Sequence, residues 1–195
     1  MPKSKPLLRT IGYEAASLED FIATLLAANI SQLVDVRELP ISRRKGFAKT
    51  ALSTALASAG IEYVHLKGLG DPKPGREAAR RKDFDAFQRI FKSHMKTAQA
   101  KADLKSAAKI ALNGRACLMC YESDHNSCHR TIVATAVCVN APVEIQHLSV
   151  NPQIGSTKEI AAKRPRKSFD SRQGVASRRR TSRRNSLLRR VNGRR

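Results

Sequence analysis

The chain has 195 residues, of which 41% are hydrophobic, and it carries a formal net charge of +21. That length suits one compact domain with an appendage, and the apolar content is sufficient to fill a core. No apolar run approaches the roughly 20 residues of a membrane-spanning helix, and the N-terminus lacks the apolar stretch of a signal peptide. We therefore expect no membrane association.

Strand and helix signals alternate along the first 148 residues. Apolar strands are predicted at residues 7–12, 32–36, 61–66, 116–119 and 143–148. Apolar residues at helical spacing follow a predicted N-cap at Ser17, and further helices are predicted at residues 50–59, 83–95, 104–112 and 131–139, with a loop at residues 67–82. This alternation predicts an α/β domain of three layers, with a mostly parallel five-stranded sheet covered on both faces.

Residues 151–195, here called the basic tail, differ in composition from residues 1–150. The tail carries 15 Lys and Arg against 2 Asp and Glu, whereas residues 1–150 carry 22 against 14. Its few apolar residues cannot offset the entropy of ordering, so we predict a disordered tail after one α/β domain. Such charge favours non-specific binding to DNA or RNA. The alternatives are binding to an anionic membrane surface, which no apolar face or lipidation motif supports, and an extension that only raises solubility.

The four cysteines fall within 22 residues, from Cys117 to Cys138. A secreted disulfide scaffold would spread its cysteines along the chain. The clustering favours a reducing, cytoplasmic environment.

Residues 120–130 form the segment richest in reactive side chains, between a predicted strand and a predicted helix. Such a loop lies at the carboxyl edge of a parallel sheet, where α/β folds bind ligands. A predicted N-cap at Ser127 would place Cys128 and His129 in the first helical turn beside Arg130. The thiol pKa would then be lowered, giving either a nucleophile or an anion-binding group. A structural, half-buried cysteine is the alternative.

Polar residues also follow the other predicted strands. Glu122 is a candidate acid or base, or a salt-bridge partner for an arginine. Convergence of three strand ends at one edge predicts a pocket, and its candidate ligand-binding residues are Tyr13, Arg37, Ser42, Arg43, Cys120 and Arg130. No glycine-rich phosphate or dinucleotide motif is present, so no cofactor is expected.

A Cys₂His₂ set of possible metal ligands lies within residues 120–130, at Cys120, His125, Cys128 and His129. Zinc prefers such ligands. Adjacent Cys128 and His129 are expected to point in different directions from a helix start, however. The prediction is therefore that no metal binds, with a metal-stabilised module as an alternative.

Several spaced motifs resemble the bacterial and archaeal domain of unknown function 488 family over residues 7–148. They are Thr10-Ile11-Gly12-Tyr13, Asp35-Val36-Arg37 with Pro40, Ser42-Arg43 and Phe47, Gly60-Ile61-Glu62-Tyr63, Leu69-Gly70, and Cys120-x-Glu122 through Cys128-His129-Arg130. The resemblance implies a small α/β domain with its polar motifs at one sheet edge, but it implies no reaction. Two departures from the family pattern are Tyr13, where histidine is common, and Asp71, where a second glycine is usual.

The sequence therefore predicts an enzyme-like domain that binds an anionic ligand, phosphate-bearing and nucleotide-like or derived from nucleic acid. Cys128, Glu122 and His129 are its predicted catalytic residues. A non-catalytic nucleic-acid-binding protein acting through its basic tail is the main alternative. The substrate, the reaction and the oligomeric state are not specified by the sequence.

Overall fold

The computed structural model describes residues 4–152, which form a five-stranded sheet with helices packed on both faces. The basic tail lies outside these residues from position 153 onward, so its disorder stays a prediction. All five strands start and end within one residue of the predicted positions, and β3 is one residue shorter at each end. The strands are β1 (Leu7–Gly12), β2 (Gln32–Asp35), β3 (Glu62–His65), β4 (Ala116–Cys120) and β5 (Glu144–Leu148).

Six α-helices and one 3₁₀ turn, Lys67–Leu69, connect the strands of the described part. The predicted N-cap at Ser17 is confirmed, since its hydroxyl accepts a hydrogen bond from the Asp20 amide at 3.0 Å. None of the helices between residues 4 and 152 is long and apolar enough to span a bilayer. The helices are α1 (Leu18–Ala27), α2 (Lys49–Ser58), α3 (Lys73–Arg80), α4 (Phe84–His94), α5 (Ala98–Ala111) and α6 (His129–Asn140).

The strand order is β3-β2-β4-β1-β5, and every neighbouring pair is parallel. The predicted α/β fold is therefore confirmed, and the sheet is parallel throughout. The chain leaves β1 toward β2 on one side, and it leaves β4 toward β5 on the other. Loops that diverge between adjacent strands open a crevice at the carboxyl edge, which is where such sheets bind ligands.

Side chains of each strand alternate between two cores, one on each face of the sheet. In β4, Cys117 and Met119 pack in the core that includes Phe21 of α1 and Leu52 of α2. Leu118 and Cys120 pack in the other core, with residues of α5 and α6. Continuous burial along β4 follows, as expected for a central parallel strand.

Helix α3 lies within residues 67–82, where the sequence predicted a loop. The prediction of a loop over that whole segment is wrong, because Pro74 is in the first turn of α3, where its missing N–H costs no intrahelical hydrogen bond. Helix α5 likewise begins earlier than predicted, after an N-cap at Thr97. Its alanine-rich first turns lack the large apolar residues that would have indicated a buried face.

Candidate functional site

A cleft of about 720 Å³ opens at the carboxyl edge of the sheet. Residues after β1, β2 and β4 line it, together with residues of α3 and the start of α4. The predicted site residues that line it are Tyr13, Arg37, Ser42, Arg43, Cys120, Glu122 and His129. Cys128 and Arg130 are not among the lining residues, so seven of the nine predicted positions meet in this cleft.

Cys120, Glu122, Cys128 and His129 form a compact group, here called the Cys/Glu/His cluster. Glu122 Oε2 accepts hydrogen bonds from Cys120 Sγ at 3.1 Å and from Cys128 Sγ at 2.9 Å. Burial acts to raise the pKa of Glu122, but hydrogen bonds, first of all from Cys128, hold it below its ordinary value. The carboxylate therefore stays charged while two thiols share one of its oxygens.

The helix position of Cys128 and the direction of its pKa shift both differ from the predictions. It is itself the N-cap of α6, with extended backbone at φ −116° and ψ 138°, so Ser127 is not the cap. Burial raises the pKa of the Cys128 thiol, and the neighbouring Cys120 raises it further. The expected lowering is wrong because Cys128 is only 4% exposed, and desolvation of a thiolate outweighs the helix start.

His129 begins α6 and is held by a backbone carbonyl. Its Nε2 lies 2.9 Å from the Val36 carbonyl oxygen, and its Nδ1 lies 3.7 Å from Cys120 Sγ. Burial lowers the pKa of His129, but interactions with Cys128, Val36 and Glu122 outweigh it and raise the value to about 9. The ring is thus fixed in orientation, with one nitrogen toward the cluster.

Arg37 lies at the cleft but is engaged in a buried network. Its guanidinium contacts both carboxylate oxygens of Asp35, the closest at 2.6 Å. The same side chain donates to Tyr13 Oη at 2.7 Å and to the Phe47 carbonyl at 3.0 Å. The Tyr13 ring stacks on Phe47, with centroids 4.3 Å apart. Arg37 and Tyr13 therefore hold the loops after β1 and β2 together.

Arg130 fixes the loop that carries the cluster. It is 1% exposed, and its guanidinium donates to the carbonyl oxygens of Glu122 and Ser123, the latter at 3.0 Å. Its backbone N–H also donates to Cys128 Sγ at 3.5 Å. These contacts orient Glu122 and Cys128 rather than a ligand.

The remaining predicted residues, Ser42 and Arg43, belong to the loop after β2. Ser42 Oγ accepts the Arg44 amide at 3.1 Å, which shapes the loop. Arg43 is exposed, and between residues 4 and 152 its guanidinium has no hydrogen bond or ion pair. Arg43 is thus the predicted cation that remains available to a ligand.

Residues 17–137 match the model of the family described as Domain of unknown function DUF488. The chain belongs to this family. No curated protein and no solved structure matches it. The match begins after Tyr13, so the DUF488 model covers two of the three strand ends that line the cleft.

Other residues of this DUF488 domain line the cleft beyond those that the sequence singled out for binding or catalysis, and three of them bear on its chemistry. Arg80 and Phe84 lie at the end of α3 and the start of α4, in or beside the segment predicted as a loop. The third is Asp71, recognised in the sequence only as a departure from the family pattern. Proline in a first turn followed by Glu77 and two alanines was the available signal for α3.

Asp71 is a buried carboxyl group of the cleft whose pKa is raised. It is 8% exposed, and its Oδ1 has no hydrogen-bond partner in the described part of the chain. Burial is the main cause that raises its pKa to about 6, although His129 and Arg76 act in the opposite direction. A carboxyl group with these properties in a cleft is a candidate acid or base.

Proposed function

We propose that this DUF488 domain is an enzyme-like domain whose cleft binds an anionic, nucleotide-like ligand. The observation that carries the proposal is the composition of the cleft, which combines unpaired cations, exposed apolar side chains and a perturbed carboxyl group. Each of the three suits a different part of one ligand.

The cationic part of the cleft suits a phosphate group. Five arginines line the cleft against three carboxylates, at Glu38, Asp71 and Glu122. Arg76 is paired with Glu38, and Arg37 with Asp35. Arg43 and Arg80 are exposed and have no such partner between residues 4 and 152. Their forked donors favour phosphate or carboxylate.

Exposed apolar side chains suit the remainder of the ligand. Large hydrophobic residues are exposed at seven places in the described part, and four of these line the cleft. Aromatic rings at such positions stack on nucleobases. The four are Leu39 (50% exposed), Ile41 (72%), Phe84 (57%) and Tyr121 (42%).

The reacting groups would be the carboxyls of Asp71 and Glu122. Their pKa values are displaced in opposite directions, upward for Asp71 and downward for Glu122. Such a pair supplies a proton donor and a proton acceptor at one pH. Cys128 and His129, the other predicted catalytic residues, lie beside Glu122, and in this proposal they hold it in place.

Binding of AMP and of inorganic phosphate to the full-length protein, measured by calorimetry, tests the proposal. We expect saturable binding of both, tighter for AMP because the base adds contacts with the apolar wall. Arg43→Gln with Arg80→Gln should weaken both ligands about tenfold or more, since each charge-assisted hydrogen bond contributes roughly 1.5–3 kcal/mol. Phe84→Ala should weaken the binding of AMP but leave the affinity for phosphate unchanged.

The matched control is Arg81→Gln with Arg89→Gln, which removes two exposed charges that do not line the cleft. This control should bind AMP like the unmodified protein. Equal weakening by both double variants would show a general charge effect, and no saturable binding of AMP would refute the proposal.

We also propose that the basic tail binds DNA or RNA non-specifically. Its 15 basic residues against 2 acidic ones support this. Phe169 is its single aromatic residue, so base stacking has little part in it. Binding would come from phosphate contacts and would weaken as salt rises.

A further inference from the structure

We propose that the Cys/Glu/His cluster binds a transition-metal ion, and that zinc fits its donor set best. Cys120, Glu122, Cys128 and His129 each offer one donor atom, and these four atoms lie within 4.8 Å of one another. Two sulfurs, an imidazole nitrogen and a carboxylate oxygen are ligands that Zn²⁺ takes in tetrahedral sites. The metal proposal does not depend on the ligand proposed for the cleft, but in the metal-bound protein Glu122 is a ligand of the ion and no longer the proton acceptor.

Cys128 and His129 are adjacent in the sequence and were expected to point in different directions, but their donor atoms lie close together. Cys128 is an N-cap with extended backbone, whereas His129 is the first helical residue. The change of backbone conformation between them brings both donor atoms to one place. His125 is not a ligand in this set, because its ring stacks on His147 with centroids 3.7 Å apart, and Glu122 takes its place.

The contacts within the cluster differ from those of a cysteine that only fills a core. Cys120 and Cys128 both point their sulfurs at the same oxygen of Glu122, at 3.1 Å and 2.9 Å. Cys117, by comparison, is fully buried in the apolar core, and its thiol contacts the Leu118 carbonyl at 3.8 Å. Two sulfurs and a carboxylate oxygen that lie this close together leave a position between them that suits a cation.

Groups outside the cluster orient its donors as outer-shell groups do in metal sites. The Val36 carbonyl lies 2.9 Å from His129 Nε2, which leaves Nδ1 as the nitrogen nearest to Cys120 Sγ. The backbone N–H of Arg130 donates to Cys128 Sγ at 3.5 Å. The imidazole and one sulfur are thus fixed before any ion binds.

The four donors are not equally buried. Cys120, Cys128 and His129 are 3%, 4% and 7% exposed, whereas Glu122 is partly exposed and lines the cleft. Zinc sites that bind substrate have three fixed protein ligands, and their fourth position can be taken by water or substrate. A metal held here would face the cleft, and Glu122 is the ligand that a bound anion could displace.

Titration of chelator-treated, full-length protein with Co²⁺ tests the proposal, because Co²⁺ reports its ligands by absorption. We expect one equivalent per chain, with sulfur-to-cobalt charge-transfer bands and the intense visible bands of a tetrahedral ion. One equivalent of Zn²⁺ should abolish these bands. Absence of charge-transfer bands in the unmodified protein would overturn the proposal.

Single variants assign the ligands. Cys120→Ser and Cys128→Ser should each weaken Co²⁺ binding by about 100-fold or more, because loss of an outer-shell partner alone costs 10–100-fold. Glu122→Gln keeps the shape of the side chain and a hydrogen-bond acceptor for the two thiols, so it should weaken binding without removing the sulfur bands. Cys138→Ser is the control, since Cys138 lies outside the cluster and should leave the titration unchanged. Unchanged spectra in Cys120→Ser and Cys128→Ser would refute the assignment.

Discussion

Side chains of the cleft and of the loops that support it divide into those that maintain its shape and those that remain available to a ligand. Arg37 and Arg130 resemble anion-binding residues in the sequence, yet both direct their guanidinium groups at protein oxygens. Arg43 and Arg80 have no such partners between residues 4 and 152. The difference follows from burial, because a buried arginine must be paired within the protein.

The Asp35–Arg37 pair is the first test of this division. Arg37→Met should destabilise the protein by about 3–5 kcal/mol, because it leaves the buried Asp35 carboxylate without its cation. Adding Asp35→Asn to Arg37→Met should recover part of that loss. Urea unfolding of the two single variants and the double variant measures the coupling. Additive losses would show that the pair is not coupled.

Asp71 gives a prediction about pH. Its folded pKa of about 6 lies above the ordinary value of 3.8, so the protonated form stabilises the fold below pH 4, and this stabilisation is lost as the pH rises through 6. His129, Arg76, Glu122 and Glu38 are the charged groups that act on it. Between pH 4 and pH 7, the free energy of unfolding of Asp71→Asn should therefore rise by roughly 1–2 kcal/mol relative to that of the unmodified protein.

Urea unfolding of metal-free protein at pH 4, 5.5 and 7 measures this gain. Asp85→Asn is the control, because Asp85 is exposed on α4 and does not line the cleft. A constant difference between Asp71→Asn and the unmodified protein at all three pH values would contradict the raised pKa.

At the scale of secondary-structure elements, β1 and the loop after β4 must approach each other closely. Gly12 pairs with Cys120 in register, and the Glu122 carbonyl passes directly over it. A Cβ at residue 12 would overlap that oxygen, and the Arg130 guanidinium lies 3.1 Å from the same position. The backbone of Gly12 therefore determines where Glu122 and Arg130 lie.

Gly12→Ala should lower the free energy of unfolding by about 3 kcal/mol or more, because the nearest atoms belong to the Glu122 backbone and cannot move aside. Gly60→Ala is a useful comparison, since a Cβ there meets no atom within 4 Å but the residue has φ +75°. Its cost should be roughly 1–2 kcal/mol, from the left-handed conformation alone. Thermal unfolding compares the two, and equal losses would contradict the close approach at Gly12.

The elements also show how far the sequence could predict this protein. Short apolar runs bounded by turn residues predicted all five strands, including the partly buried edge strands β3 and β5. Helix α3 was missed although Pro74, Glu77 and two alanines gave a local signal for it. Strand order was not predictable, since it depends on long-range packing. The N-cap at Cys128 and the burial of its thiol were misjudged for the same reason, and the structure reassigns the fourth member of the cluster from His125 to Glu122.

At the scale of the whole molecule, the positive charge is divided between the α/β domain and the basic tail. The domain has 22 basic residues against 14 acidic ones, and the tail has 15 against 2. The cleft is proposed to bind a defined ligand, whereas the tail is proposed to bind any polyanion. The two should therefore respond differently to salt and to truncation.

Truncation after Pro152 tests the role of the tail, because the sheet and both cores lie before that residue. The midpoint of urea unfolding should not change. Affinity for a single-stranded DNA oligonucleotide should fall at least about tenfold at 0.1 M salt, and the dependence of affinity on salt should become shallower. Undiminished DNA binding by the truncated protein would place the binding surface in the domain.

Ligand binding in the cleft is decided by an amide-resolved NMR titration of the full-length protein with AMP at physiological salt. If AMP binds there, saturable shifts are expected at residues 42–44, 79–84 and 120–122, which lie at the cleft on separate elements. Shifts confined to residues 153–195, or no saturation at any amide of the cleft, would contradict binding in the cleft.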